Sequence, residues 1–438
     1  MFAALLIQLA SQDLDSVLND PKFKGAIVGA CVLDSTGQEI YAHNADLRMV
    51  PASNQKLITG AFALHALGPD YRPVTKFWKK HGTIYVDSTG DPLMTHDDLV
   101  DIRHLLKTSG NQPVAIRSAY GPLLPPGWEE DDLRNKYAAP VSAFSVDRSS
   151  FELWTEKGRL FFEPESYGAK AFYQKGEDIQ IDFDPHTMVA RVVGPIPNER
   201  TRLDTLAISK PDFAAASIIG GKAKHVVNMP TEDPLITHQG KPLSDILFED
   251  LPSSDNNISE NLMLMAAGVT SQDQNPYQLA QGKVSDFLTS EVGLDPAEFN
   301  ISDGSGLSRH NVITPRAIAK LLYWADQRPT KDLWHHCMAK PGEEGTLENR
   351  LVGIPFEGKT GTMEMICALS GYLHLSDGRV LSVSILVNDY AISTAETRGL
   401  MDSFLKNLLD AGNGGTLFAE SHNYASTRPQ TARNSPRP

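Results

Sequence analysis

The chain has 438 residues, with 40 basic and 54 acidic side chains and a formal net charge of −14. That acidic balance excludes nucleic acid as the main partner, because phosphate binding needs a cationic face. Hydrophobic residues make up 41% and charged residues 21%, a globular rather than a disordered composition.

At roughly 100–200 residues per domain the length predicts two to four domains, or one large domain with insertions. No run of about 20 apolar residues is present to span a membrane. Phe2 to Ala10 is a short apolar run ending in Ala10-Ser11-Gln12. It reads either as a signal remnant over residues 1–12, without the usual basic start, or as the apolar start of a first helix. Residues 25–43 alternate as two strands around Asp34-Ser35-Thr36-Gly37, a β-hairpin. Asn54 to Leu67 is apolar on nearly every face, which predicts a buried helix.

Short strand-like pieces punctuated by Gly and Pro fill residues 78–231, predicting inserted β-rich domains over 78–155 and 156–231. Helical patterns return at Leu262 to Ala267 and Pro315 to Ala325. Two further strands follow, Ala368 to Leu375 and Val380 to Val387, joined through Ser376-Asp377-Gly378. Residues 13–77 and 232–410 then form one discontinuous domain, and 411–438 read as a disordered Gly/Pro/Ser-rich tail. Cys31, Cys337 and Cys367 form no CxxC pair, so neither a zinc framework nor a disulfide scaffold is expected. His335-His336-Cys337 lacks a second ligand cluster and reads as a surface pair at a helix end rather than a metal site.

Three short motifs carry chemistry: Ser53-Asn54-Gln55-Lys56 (SxxK), Ser254-Asp255-Asn256 (SxN) and Lys359-Thr360-Gly361 followed by Thr362 (KTG). Their order is that of penicillin-binding proteins and class A β-lactamases. Ser53 begins a helix, whose N-terminus favours developing negative charge, and Lys56 is one turn along the same face. A serine needs a base to become a nucleophile. A lysine serves if burial and a neighbouring cation, here Lys359, lower its pKa. Ser254 would protonate the leaving amine and Asn256 would orient substrate and Lys56. Lys359, Thr360, Gly361 and Thr362 would hold a substrate carboxylate, and the N–H groups of Ser53 and Thr362 would form an oxyanion hole. Each motif alone is weak: Ser403-Phe404-Leu405-Lys406 repeats SxxK and Ser259-Glu260-Asn261 repeats SxN.

Longer strings are more specific. Ser254-Asp255-Asn256-Asn257-Ile258-Ser259-Glu260 resembles an SDNxxAE stretch and selects Ser254 over Ser259. Asp303-Gly304-Ser305-Gly306-Leu307-Ser308-Arg309 is similar to a DGSGLSR signature, and Gly345-Thr346-Leu347 with Arg350 resembles the approach to KTG. On these strings the chain resembles the class C low-molecular-mass penicillin-binding proteins, the D-alanyl-D-alanine carboxypeptidase/endopeptidase family, from about residue 25 to 410. The resemblance implies an α/β (α+β) transpeptidase-like fold, an antiparallel sheet flanked by helices with insertions between SxxK and SxN. It implies acyl-enzyme formation on Ser53 without metal or organic cofactor, peptidoglycan stem peptides as substrate, acylation by β-lactam antibiotics, and a periplasmic or otherwise extracytoplasmic location. Gly127-Trp128 with Asp131-Asp132 resembles a segment whose acid meets a free amine of the stem peptide, which places Asp132 there. Glu129-Glu130 interrupt that match, and a solvated acidic loop is the other reading. Ser88-Thr89-Gly90-Asp91-Pro92 is poorer in glycine than the family's GGGDP. A β-lactamase, whose nearest deacylating string is Glu291-Val292-Gly293-Leu294-Asp295, and a non-catalytic wall-binding scaffold remain the alternatives.

Overall fold

The structure is a computed structural model that describes residues 13–108 and 110–414; the apolar start at 1–12 and residues 415–438 of the expected tail lie outside the described residues. The catalytic sheet has five antiparallel strands in the order Phe356–Met363, Ile366–His374, Val380–Asn388, Ile27–Leu33, Glu39–His43. Its closure joins sequence-distant segments, since Ile27 pairs with Asn388 and Leu33 with Ser382. The hairpin at the start and the strands near the end are therefore one sheet.

Alternation along Val380–Asn388 sorts side chains between two layers. Leu381, Val383, Ile385 and Val387 join Phe404, Leu405 and Leu408 of the last helix, Thr394–Asn413, in one core. Leu386 on the other face joins Leu57, Ile58, Phe62 and Trp334 in a second. The helix Gln55–Leu67 lies inside that second layer, with every residue from Gln55 to Leu64 buried. Such a helix has no solvent face to lose Lys56 to, so the lysine goes inward with its neighbours. Helix Thr394–Asn413 also runs into the span read as tail.

The insertion is larger and less purely β than expected. A second five-stranded sheet has the order Ala223–His225, Val114–Ser118, Thr83–Ser88, Val74–Lys80, Ile236–Gln239. It therefore starts before residue 78 and ends after residue 231. Parallel pairing of Thr83–Ser88 with Val114–Ser118 demands a crossover, which helix His96–Leu105 supplies. Two three-stranded sheets between residues 150 and 207 are nested within this unit. A division at 155/156 cuts strand Ser150–Glu156, and the two parts share one apolar cluster in which Phe77 and Val86 meet Phe151, Phe183 and Leu206. Local punctuation by Gly and Pro marks the turns, whereas that shared core is a tertiary property.

Phe404 is fully buried between the last helix and the sheet. Phe404→Ala should destabilise the catalytic unit by about 3–5 kcal/mol, read as a lowered midpoint in urea. A midpoint equal to that of the wild type would contradict this packing.

Candidate active site

Ser53 sits in the single 3-10 turn Ala52–Asn54 that leads into helix Gln55–Leu67. The turn is strained, because Ala52 takes φ +47, a left-handed value that costs a non-glycine residue on the order of 1 kcal/mol. Two close backbone approaches hold it. A Cβ on Gly306 would overlap the Ala52 carbonyl, and one on Gly361 would lie 2.9 Å from the Pro51 oxygen and 3.0 Å from the Ser53 nitrogen. Asn54 ties the same turn to the sheet. With its amide oriented to satisfy both ends, it donates to the Lys359 carbonyl at 2.9 Å and accepts from the Ser370 hydroxyl at 2.7 Å.

Lys56 is fully buried, and its ammonium has three partners: Ser53 Oγ at 3.2 Å, Asn256 Oδ1 at 2.6 Å and the Ser305 carbonyl at 2.7 Å. Asn256 in turn donates to the Tyr137 carbonyl at 2.8 Å, so one amide bridges the lysine to the inserted segment. Ser254 ends helix Leu243–Ser253 in a left-handed conformation, φ 62, and faces the cleft. Ser259 by contrast is buried and donates to Asp250. Ser403 is exposed on the last helix, where it donates to the Gly399 carbonyl. Both repeats of the motifs are thus away from the cleft.

The cleft has a volume of about 450 Å³ and is lined by Ser53, Ser254, Asn256, Thr362, Asp132 and Tyr137, among others. Lys359 is fully buried behind it and donates to the Thr360 carbonyl at 2.9 Å; Thr360 and Gly361 are buried as well. Asp132 therefore shares a cavity with Ser53, which a solvated loop elsewhere on the surface would not do. It is half-buried and accepts from the Tyr137 hydroxyl at 2.6 Å. Glu129 and Glu364 add negative charge to the lining and Arg309 adds one cation.

Burial pushes the Lys56 pKa down, against the pull of carboxylates at Asp250, Asp303, Glu260 and Asp255. Lys359 is pushed well below the ordinary lysine value by burial and then by Lys56, with Asp250 opposing. Repulsion between the two buried ammonium groups is mutual, so Lys359 and Lys56 each make the other easier to deprotonate, with burial the larger cause for both. The acids around Lys56 are themselves buried. Burial raises Asp250 to about 7, with Lys56 and the Ser259 hydroxyl opposing, and it raises Glu260 and Asp303 too.

The acids do structural work that the motifs do not reveal. Glu260 accepts from the Gly304 and Ser305 N–H groups and from the Tyr277 hydroxyl, which aims the Ser305 carbonyl at Lys56. Asp303 accepts from the N–H groups of Gly306 and Ser308, from Asn311, and from Trp128 Nε1 at 2.9 Å. Trp128 thereby ties the acidic segment Glu129–Asp132 to the turn beneath the lysine. Arg398 of the last helix donates to Thr362 Oγ1 at 2.9 Å. Asn54, Tyr137, Asp250 and Arg398 were not singled out by sequence reasoning. Each enters through a tertiary contact, and only Asn54, inside SxxK, had a local signal.

Elsewhere, His335, His336 and Cys337 diverge. His336 stacks on Phe248 and Cys337 is buried, while His335 turns inward to Glu357, correcting its reading as a surface residue. The ligand atoms of His335, Glu357 and His374 all lie within 4.8 Å of one another, a grouping suited to a cation. The three cysteines are buried and unpaired. Glu291 stands at an exposed helix end.

Ser53 and Lys56, at the entry to a buried helix, thus lie beside an antiparallel sheet whose edge strand carries Lys359. The family model of the D-Ala-D-Ala carboxypeptidase 3 (S13) family matches residues 10–169 and 216–408, and the chain belongs to that family. It is 26% identical to a D-alanyl-D-alanine carboxypeptidase of Actinomadura sp. (strain R39) over 87% of this chain and 81% of the relative. It is 23% identical to the D-alanyl-D-alanine carboxypeptidase DacB of Haemophilus influenzae over 86% of this chain and 88% of that one. The crystal structure of penicillin-binding protein 4 from Haemophilus influenzae shares the fold, with a TM-score of 0.77 and 22% identity over 92% of this chain and 99% of the other. The protein is a serine-type peptidase, a hydrolase of the D-alanyl-D-alanine carboxypeptidase class. Among the described residues no helix is long and apolar enough to cross a membrane.

The folded state holds a proton on Asp250 that the unfolded chain releases near the ordinary aspartate value of 3.8, so this group's contribution to stability is full below that value and is lost as pH rises toward about 7. Asp250→Asn should therefore flatten the decline of melting temperature between those limits. Parallel profiles for variant and wild type would contradict the buried acid.

Proposed function

We propose that Ser53 is the nucleophile of a D-alanyl-D-alanine carboxypeptidase/endopeptidase that acts on peptidoglycan stem peptides. The observation that carries the reading is the Lys56 ammonium, buried and within 3.2 Å of Ser53 Oγ. Lys56 in its neutral form takes the Ser53 proton as Oγ attacks the carbonyl of the penultimate D-alanine. The N–H groups of Ser53 and Thr362 stabilise the tetrahedral oxyanion. Ser254 passes a proton to the departing D-alanine amine, and water then clears the acyl-serine. Asn256 keeps Lys56 in place through its 2.6 Å bond. Thr362 faces the terminal carboxylate from the cleft wall, Lys359 supplies positive charge from behind it, Gly361 allows the strand to approach Ser53, and Arg398 adds a guanidinium beside Thr362.

A β-lactam presents a strained amide and a carboxylate in the same relation, so penicillins acylate the same serine. One solved relative, penicillin-binding protein 4 of Haemophilus influenzae, is described in complex with a β-lactam. Asp132, on the cleft wall with Glu129 and Glu364, suits the free amine of a stem-peptide diamino acid. Such substrates lie outside the cytoplasmic membrane, which places the enzyme in the periplasm or another extracytoplasmic space.

Release of D-alanine from a D-Ala-D-Ala peptide should fall about 10⁴-fold or more in Ser53→Ala with folding intact; activity that survives would remove Ser53 as nucleophile. The rate should rise with pH as Lys56 loses its proton and level off below the ordinary lysine value of 10.5. A profile still climbing through that value would contradict a buried lysine base. Asp132→Asn should raise KM for amine-bearing stem peptides about two- to fivefold, as for a solvent-facing ion pair, and leave penicillin acylation unchanged. An equal loss on both would contradict its assignment to the amine.

A further inference from the structure

A second constellation lies outside the cleft, on the strand that carries Lys359. Glu357 is two residues before Lys359, hence on the same strand face, and pairs across the ladder with Tyr372. His374 is two residues beyond Tyr372 and so shares that face. His335 approaches from helix Lys331–His336, its ring tilted against Tyr372 at a centroid distance of 4.2 Å. Both imidazoles converge on one carboxylate oxygen, His335 Nδ1 at 2.5 Å and His374 Nε2 at 2.8 Å from Glu357 Oε1.

Two imidazole nitrogens and a carboxylate form a donor set suited to a borderline-soft dication. Around a tetrahedral ion such atoms sit about 3.3 Å apart, so an ion enters by side-chain opening of less than about 1 Å per contact. A second observation points the same way. The far nitrogen of His335, Nε2, meets Asp326 Oδ1 at 2.9 Å. A carboxylate behind a ligating histidine fixes its tautomer and leaves the other nitrogen free to coordinate. His374 is 41% exposed, against 17% for His335 and 11% for Glu357, so the group has a buried floor and an open side for entry and for a water ligand. The nearest competing cation is Lys340, whose ammonium is 3.9 Å from Glu357 Oε2.

We propose that His335, Glu357 and His374 form a binding site for one divalent transition ion of the zinc class, with Asp326 orienting His335. The ion takes the place of the protons that the two imidazoles share with Glu357. It joins the start of the Lys359 strand to its neighbour Ile366–His374 and to helix Lys331–His336. The site is independent of the peptidase chemistry and stands or falls separately from it.

The test uses tag-free full-length protein, stripped with a chelator and titrated with Zn²⁺ in a calorimeter. The wild type should take up one ion per chain saturably and melt at a higher temperature with Zn²⁺ than without. His374→Ala and the milder His374→Gln should abolish that uptake, with circular dichroism reporting that both fold. Asp326→Asn should weaken it about 10- to 100-fold, the usual effect of losing the carboxylate behind a ligand. Absence of saturable uptake by the wild type, or equal affinity in the wild type and both His374 variants, overturns the site and leaves a hydrogen-bonded network only.

Discussion

One buried ammonium organises the active site. Lys56 is fully buried, so its charge or its lone pair must be met by groups around it, and three of these come from three different segments. Ser53 lies in the turn that leads into the lysine's helix, Asn256 opens a second helix, and Ser305 lies in a turn held by Glu260. An unpaired buried amine would cost several kcal/mol, so the fold is committed to bringing those segments together. Ser53, Lys56 and the Asn256 amide that bridges to the insertion are consequently fixed by the same requirement.

The surrounding acids give that requirement its depth. Asp250, Glu260 and Asp303 lie beneath the lysine, all buried, and all with carboxyl groups pushed above their ordinary values by burial. All three restrain the fall of the Lys56 pKa, and Glu260 and Asp303 also anchor backbone N–H groups of residues 304–308. Lys56 is thereby kept from losing its proton too readily, and the Ser305 carbonyl that faces it is held from behind. The insertion meets this centre at two points, Tyr137 with Asn256 and Trp128 with Asp303, so the acidic wall around Asp132 is registered to the chemistry rather than hung beside it.

What was legible in the sequence was whatever short-range spacing encodes. Ser53 and Lys56 are one helical turn apart, the hairpin's strands flank a Ser-Thr-Gly turn although Ile27–Leu33 is buried on both faces rather than alternating, and the apolar run 55–67 has no polar stripe. Ser254 could be separated from Ser259 only through the longer string around it, and the geometry of the two serines shows why: one faces the cleft and the other is bonded to Asp250. Glu260 and Asp303 were visible as members of strings but not as supports for the lysine. Asp250 reaches Lys56, Tyr137 reaches Asn256 and Arg398 reaches Thr362 across more than 30 positions of sequence, and no motif announces those contacts. His335, Glu357 and His374 are likewise scattered, whereas the adjacent His335-His336-Cys337 attracts attention and then diverges. The insertion was read as β-rich from its turns, while its two helices and shared core follow from parallel pairing and from apolar contacts across the nested sheets.

The most direct measurement is intact-mass spectrometry of the protein after incubation with benzylpenicillin, followed by peptide mapping. A covalent adduct of one penicillin per chain on the peptide containing Ser53, absent from Ser53→Ala, is the result this account predicts. An adduct on Ser403 or Ser259, or no adduct on a folded protein, would contradict a nucleophile at Ser53 activated by Lys56.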